Sequence, residues 1–239
     1  MRYPYKRKRH YPTRWAKDGF TVHPDGRIAL ARGIPRFIQL STIVLYDFKS
    51  GEPMDETYRS QPEYPIQQIS MEREKAVEEA GKEYGMETIM LRPASTIGLR
   101  DKKSFFSRLY TAHVNNQFPL AEHGDTRVSL VDARDVGRAM EWLGTYEKPK
   151  DDNGIYVLKG FDTTWYDVKK EMDRVTGRQA RTVPVSADEQ SMMVKNLTVH
   201  RVWDDKKIRK LGFHTKYGLS EAVEASIGDL INREKIAHS

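Results

Sequence analysis

Two tyrosines in this sequence are followed by a lysine four residues on, Tyr146–Lys150 and Tyr166–Lys170. A phenol moves protons near neutral pH only where a close cation lowers its pKa, so a lysine one helical turn away is the spacing to weigh. The first couple encloses Pro149 in a loop-like stretch and is a chance match. The second lies in TTWYDVKKEMDRVTG (163–177), a helix by its pattern, where an ordinary i,i+4 surface contact accounts for it. The seven histidines, at 10, 23, 113, 123, 200, 214 and 238, show no HxH, HExxH or Hx3H spacing, and no metal site is expected. Cysteine is absent, which excludes disulfides and thiolate metal sites. The charged stretch EHGDTR (122–127) reads as a turn before a strand.

Residues 1–19, MRYPYKRKRHYPTRWAKDG, hold seven Lys/Arg against the single acidic Asp18, and the rest of the chain is neutral in sum. Such a tail suits an acidic protein surface, anionic lipid or RNA. The interleaved Tyr3, Tyr5, Tyr11 and Trp15 could stack on bases. A solvated or partner-docked extension is the plainer reading. Pro4 and Pro12 argue against a helical presequence, and no apolar signal region follows.

The elements that would position any site follow from pattern. RFIQLST (36–42) reads as a buried strand, and 48–65 as a Gly/Pro-punctuated loop. A helix is expected from about Gln67 to Tyr84, with Ile69, Ala76, Val77 and Ala80 near one face and Gly85 as its stop. Strands are expected at 86–93, 126–133, 154–160 and 181–185, and helices at 104–116, 134–146 and 163–177. Further helices fall within 186–200, 204–211 and 219–232, and Met192, Met193 and Trp203 are expected in the core of a small C-terminal lobe. Strands alternating with helices predict an α/β fold with a mainly parallel sheet. The chain is 239 residues long, 38% hydrophobic and 31% charged, a globular composition with no stretch near the roughly 20 apolar residues of a membrane span.

Five stretches, in order, carry a family likeness: GIPRFIQLSTIVLYD, METIMLRPASTIGLRD, VSLVDARDVGRAM, GIYVLKGFDTTWYDV and DDKKIRKLGFHTKYGLSEAVEASI. Together they resemble the C-terminal two-thirds of an extended short-chain dehydrogenase/reductase, the NAD-dependent sugar-nucleotide epimerase/dehydratase type. The resemblance implies a partial Rossmann-like sheet over 33–239, with a small substrate-type lobe at about 160–239, preceded by an extension and short degenerate segment at 1–32. It also implies where proton chemistry would sit: a Ser/Thr, a Tyr about 25 residues later, and a Lys four residues after that. Those positions are Thr42, Gln67 and Met71. A carboxamide does not titrate and a thioether carries no charge, so no intact catalytic set is expected. Tyr64, with Gln68 four residues on, lacks the cation. Arg92, Pro93 and Ser95 fall where the family has its cofactor–substrate boundary and are candidates for a residual ligand pocket; packing and capping is the alternative.

No GxxGxxG or GxGxxG occurs in the chain, so the pyrophosphate cradle that such turns provide is not expected here. NAD(P) is expected only if a partner supplies the nucleotide-binding half. A sheet so truncated would leave an edge to be covered, which predicts a protein partner.

Three functions follow. The first is a non-catalytic accessory subunit of a larger assembly. The nucleotide-binding accessory subunit of mitochondrial respiratory complex I is an atypical relative of this kind, and the likeness points to an intracellular, mitochondrial location peripheral to a membrane complex. The second is an NAD(P)-dependent epimerase, dehydratase or reductase completed in trans. The third is an RNA- or ribosome-associated relative. For the third, deletion of residues 1–19 is expected to abolish salt-sensitive RNA binding in a filter or mobility-shift titration; binding that survives the deletion contradicts a role for the tail.

Overall fold

The computed structural model describes residues 21–22, 28–29, 35–49, 53–101, 104–121, 124–186, 188 and 191–237. The basic tail 1–19, most of the segment 20–33, Glu122 and four of the histidines (10, 23, 123 and 238) lie outside the described residues.

The organising unit is a βαβ step. Strand β3 (Arg36–Leu40) leads through a 3₁₀ turn (Ile43–Leu45) and a long loop into helix α1 (Pro65–Tyr84), which returns to strand β4 (Glu87–Pro93). Parallel pairing joins β3 to β4, with Phe37 opposite Thr88, and β4 to β8 (Ile155–Leu158), with Leu91 opposite Tyr156. Two-stranded β1 (Thr21–Val22) and β2 (Ile28–Ala29) form a separate antiparallel pair. A second sheet sets β5 (Ser95–Ile97) parallel to β7 (Arg127–Asp132), and β7 antiparallel to β9 (Phe161–Thr164). β6 (Phe118–Leu120) runs parallel to β10 (Thr182–Pro184). The chain is thus an α/β protein built mainly on parallel pairing. The antiparallel β9 is an addition to the sequence expectation, which begins a helix at 163; that helix is α4 (Trp165–Thr176), capped by the Thr164 side chain.

Side chains on β4 alternate between two faces. Ile89 and Leu91 enter a core with Val136, Ala139 and Leu143 of α3 (Ala133–Thr145) and with Trp203. Arg92, on the opposite face, meets α1 through Glu74. A second core gathers Leu109 of α2 (Phe105–Val114), Phe118, Leu130, Trp165, Met172 and Val223 of α7 (Leu219–Ala237). Helices α5 (Met192–Thr198) and α6 (Lys206–Lys210) complete the chain order.

Two expectations change on contact with these cores. The inward face of α1 is Gln67, Ser70, Glu74, Val77 and Gly81; of the four residues grouped by pattern only Val77 is buried, and Ile69 is 43% exposed. The helix turns its polar stripe inward because Glu74 finds a buried guanidinium there. Trp203 belongs to the first core rather than to one around the C-terminal helices, because its segment pairs in a bridge with Met54.

Helix α1 ends where Gly85 takes the left-handed conformation at φ 65°, as its sequence predicts. Gly154, which immediately precedes β8, combines φ +72° with a backbone approach that would bring a Cβ to 2.4 Å from the Thr88 carbonyl oxygen. Gly154→Ala is therefore expected to lower stability by at least about 2 kcal/mol, read as a lower urea midpoint; an unchanged midpoint contradicts the close packing of β8 on β4.

Candidate functional site

A cleft of about 680 Å³ opens at the C-terminal ends of β3 and β4. The turn after β3 contributes Ser41, Thr42, Ile43 and Val44; the junction of β4 and β5 contributes Pro93, Ala94 and Ser95; and Phe105, Trp165 and Met192 also line it. This is where a parallel sheet presents loop residues to a ligand. Among the described residues the lining holds no Tyr, Lys, His, Asp or Glu, and its one charged side chain is Arg201.

Each expected site residue has a definite place. Thr42 reaches the cleft, and its hydroxyl also accepts from the Val44 N–H at 3.0 Å, capping the 3₁₀ turn. Gln67 is fully buried. Its Oε1 accepts from the N–H groups of Glu63 (2.7 Å) and Tyr64 (2.9 Å), and its Nε2 donates to the Tyr46 carbonyl at 2.7 Å. That reach back to the N-cap is one half of a capping box. Met71 packs against the first core. Pro93 and Ser95 line the cleft, but Arg92 turns from it. Its Nε and Nη2 donate to Glu74 at 2.9 and 2.5 Å, and its Nη1 donates to the Tyr46 hydroxyl at 2.7 Å. Ser41 donates to the same carboxylate.

Tyr46 is the phenol that comes nearest to a proton relay, since it touches a guanidinium. It is fully buried, however, and donates to the Asp55 carbonyl at 3.0 Å. Burial pushes its pKa up to about 12, against the partial opposing pull of Arg92, which is the wrong direction for general-base work at neutral pH. For Arg92 burial alone would lower the pKa, but the Glu74 carboxylate and Tyr46 outweigh it and hold the guanidinium charged. Neither Tyr–Lys couple approaches the cleft lining. Lys170 lies over the ring of the half-exposed Tyr166, 4.4 Å from its centroid, and Tyr146 stacks on Trp142 at 4.3 Å.

Arg201 is the residue that sequence reasoning passed over. It sits in a short stretch with no motif, and only the bridge between Val128 and Arg201 brings it to the cleft. It is 4% exposed. Its guanidinium donates to the carbonyls of Asp47 (2.5 Å), Ile43 (3.3 Å) and Tyr46 (3.5 Å). It also lies against the rings of Phe48 and Trp203, 4.4 and 5.0 Å from their centroids. Burial lowers its pKa to about 10. Among the described residues no group of three His, Cys, Asp or Glu side chains could hold a metal ion, and no helix is long and apolar enough to cross a membrane.

A family model described as the NAD dependent epimerase/dehydratase family matches residues 27–158. Among solved structures, the UDP-glucuronic acid 4-epimerase of Bacillus cereus, in complex with UDP-glucuronic acid and NAD, superposes with a TM-score of 0.69 at 17% identity, covering 83% of this chain and 62% of that one. The UDP-glucose 4-epimerase of Thermotoga maritima, with UDP-glucose, gives 0.68 at 21% identity, covering 84% and 65%. The dTDP-glucose 4,6-dehydratase of Bacillus anthracis, in complex with NAD, gives 0.64 at 15%, covering 83% and 62%. The fold is therefore Rossmann-like, and the chain spans less than two thirds of the length of these proteins. No curated protein matches the sequence.

Among the described residues, those around the cleft do not by themselves form a dinucleotide cradle. Both polar atoms of the Gln67 side chain are spent on the backbone around it, Met71 has no charge, and the helix starts nearest the cleft are closed by their own side chains: Asp132 caps α3 and Ser104 caps α2. A carboxylate at a helix N-terminus repels a phosphate that would otherwise be drawn there.

The Glu74–Arg92 pair has both side chains about 10% exposed, so breaking it strands a buried charge. Glu74→Gln and Arg92→Met are each expected to cost about 3–5 kcal/mol, and the double variant less than their sum. Urea unfolding of the four proteins checks this; additive losses would mean that the two groups do not depend on each other.

Proposed function

The chain belongs to the NAD dependent epimerase/dehydratase family, and from that premise we propose that it is a ligand-binding member that keeps the family's cleft without the tyrosine–lysine proton chemistry. The observation that carries this reading is the cleft lining. Among the described residues it offers hydroxyls, one amide and one guanidinium, and no group that both gains and loses a proton near neutral pH. Proton transfer requires such a group within hydrogen-bond reach of the reacting atom. Positions 67 and 71, which would provide it by the family pattern, serve a helix start and a core instead.

The relatives favour a second reading: an NAD(P)-dependent epimerase, dehydratase or reductase acting on a nucleotide sugar, with the dinucleotide held by residues beyond those described here. The matched enzymes act on UDP- and dTDP-sugars, and this chain shares their fold. An accessory-subunit role in a respiratory complex draws no support from these relatives.

Incubation of the purified full chain with NAD and UDP-glucose separates the two. We expect no epimerised sugar by chromatography and no nicotinamide absorbance change; turnover by the unmodified chain overturns the binding reading. Gln67→Tyr/Met71→Lys restores the family pattern at both positions, and any turnover confined to that variant supports loss of chemistry from an otherwise competent cleft.

A further inference from the structure

Arg201 and Arg92 are both buried guanidiniums, and they are neutralised differently. Arg92 has the Glu74 carboxylate on two of its nitrogens. Among the described residues, no carboxylate forms an ion pair with Arg201; its bonds all go to backbone carbonyls. The neighbouring Asp47 carboxylate attracts it through space, as does Glu63, but Asp47 takes its hydrogen bonds from the Tyr58 hydroxyl (2.7 Å) and the N–H groups of Gln61 (2.9 Å) and Lys49 (3.2 Å). Carbonyl dipoles and aromatic faces solvate a cation but leave its charge in place. Arg201 thus lacks a hydrogen-bonded counter-ion, and it lines a mostly apolar cleft in which such a counter-ion would form a charge-assisted bond.

We propose that the ligand of this cleft is an amphipathic oxyanion, with an apolar body among Ile43, Phe105, Trp165 and Met192 and a single phosphate- or carboxylate-type head on Arg201. The inference rests on the reading that the cleft binds a ligand and adds its chemical class. The body is apolar because the polar groups around it are few: the hydroxyls of Thr42, Ser95 and Thr96 and the Asn196 amide are among them. A polyhydroxylated ligand would leave most of its own donors unpaired against such walls. The volume of about 680 Å³ suits a compact ring system with one head group.

Isothermal titration calorimetry of the full chain with naphthyl phosphate, naphthoate and the neutral naphthalenemethanol tests this. At least one anion is expected to bind about tenfold or more tightly than the alcohol, and the order of phosphate and carboxylate identifies the head. Arg201→Met is expected to erase that preference, while Arg201→Lys retains part of it. Val44→Trp, which fills the cleft from the rim, is expected to abolish binding of all three probes. Equal affinity for alcohol and anions overturns the inference, as does an anion preference that survives in Arg201→Met or anion binding that survives in Val44→Trp. If Arg201→Met does not fold, the wild-type ratio and the Val44→Trp result decide alone. Alcohol binding that Val44→Trp blocks, without any anion preference, removes only the oxyanion class; a wild-type chain that binds none of the three removes the binding reading with it.

Discussion

One buried ion pair decides how this chain is put together. Glu74 on α1 and Arg92 on β4 face each other inside the protein, with Tyr46 and Ser41 completing the shell around them. A buried charge pair is tolerable only where geometry is good and the remaining polar atoms are satisfied. Here both guanidinium edges and both carboxylate oxygens are used, so the pair fixes the height and rotation of α1 against the sheet. Everything that α1 presents follows from that rotation. Gln67 comes to lie under the helix start, Met71 against the core, and Ile69 in solvent.

On the ligand-binding reading proposed above, that constraint explains how the scaffold holds together with no tyrosine at position 67 and no lysine at position 71. In the family pattern the stripe of α1 that includes positions 67 and 71 faces the reaction. In this chain the same stripe is closed into structure at one end by backbone hydrogen bonds and at the other by apolar contact. The fold needs Glu74 and Arg92 for its register and asks nothing ionisable of positions 67 and 71. The cleft survives because it is made by different residues, those of the turn after β3, the junction of β4 and β5 and the second core, none of which depends on a phenol or an ammonium.

Much of the fold was legible in the sequence, because its signals are local. Gly85 stops α1, a Thr caps the helix that follows 163, and the apolar runs at 87–93 and 127–132 are strands. The weak points are equally physical. Ile69, Ala76 and Ala80 read as an inward face because an apolar stripe is the usual reason for burial, and no local signal says that Glu74 will meet an arginine 18 residues away. β9 was hidden inside a capping sequence, since Thr163 and Thr164 suit both a strand end and a helix start. Thr42, Pro93 and Ser95, which line the cleft, were reached through the family likeness, whereas Arg92 could not be told from a ligand residue, because which face of β4 it occupies is a property of the pairing. Arg201 had no signal at all; its position is set by a single bridge to Val128, 73 residues earlier.

The two halves of position 67's chemistry pull against each other. As an amide it accepts from two backbone N–H groups at a helix start and donates to a carbonyl, all in a site without solvent. A phenol there has one oxygen and no second donor on an opposite edge, so it would leave backbone groups of this turn unpaired, at a cost of about 1–3 kcal/mol for each buried group. A phenol that reached the cleft instead would have to vacate the same pocket and leave a cavity behind it. The glutamine thus has a structural role of its own. It stabilises the helix start that sets Glu74 against Arg92, and a buried amide meets that demand better than a phenol would.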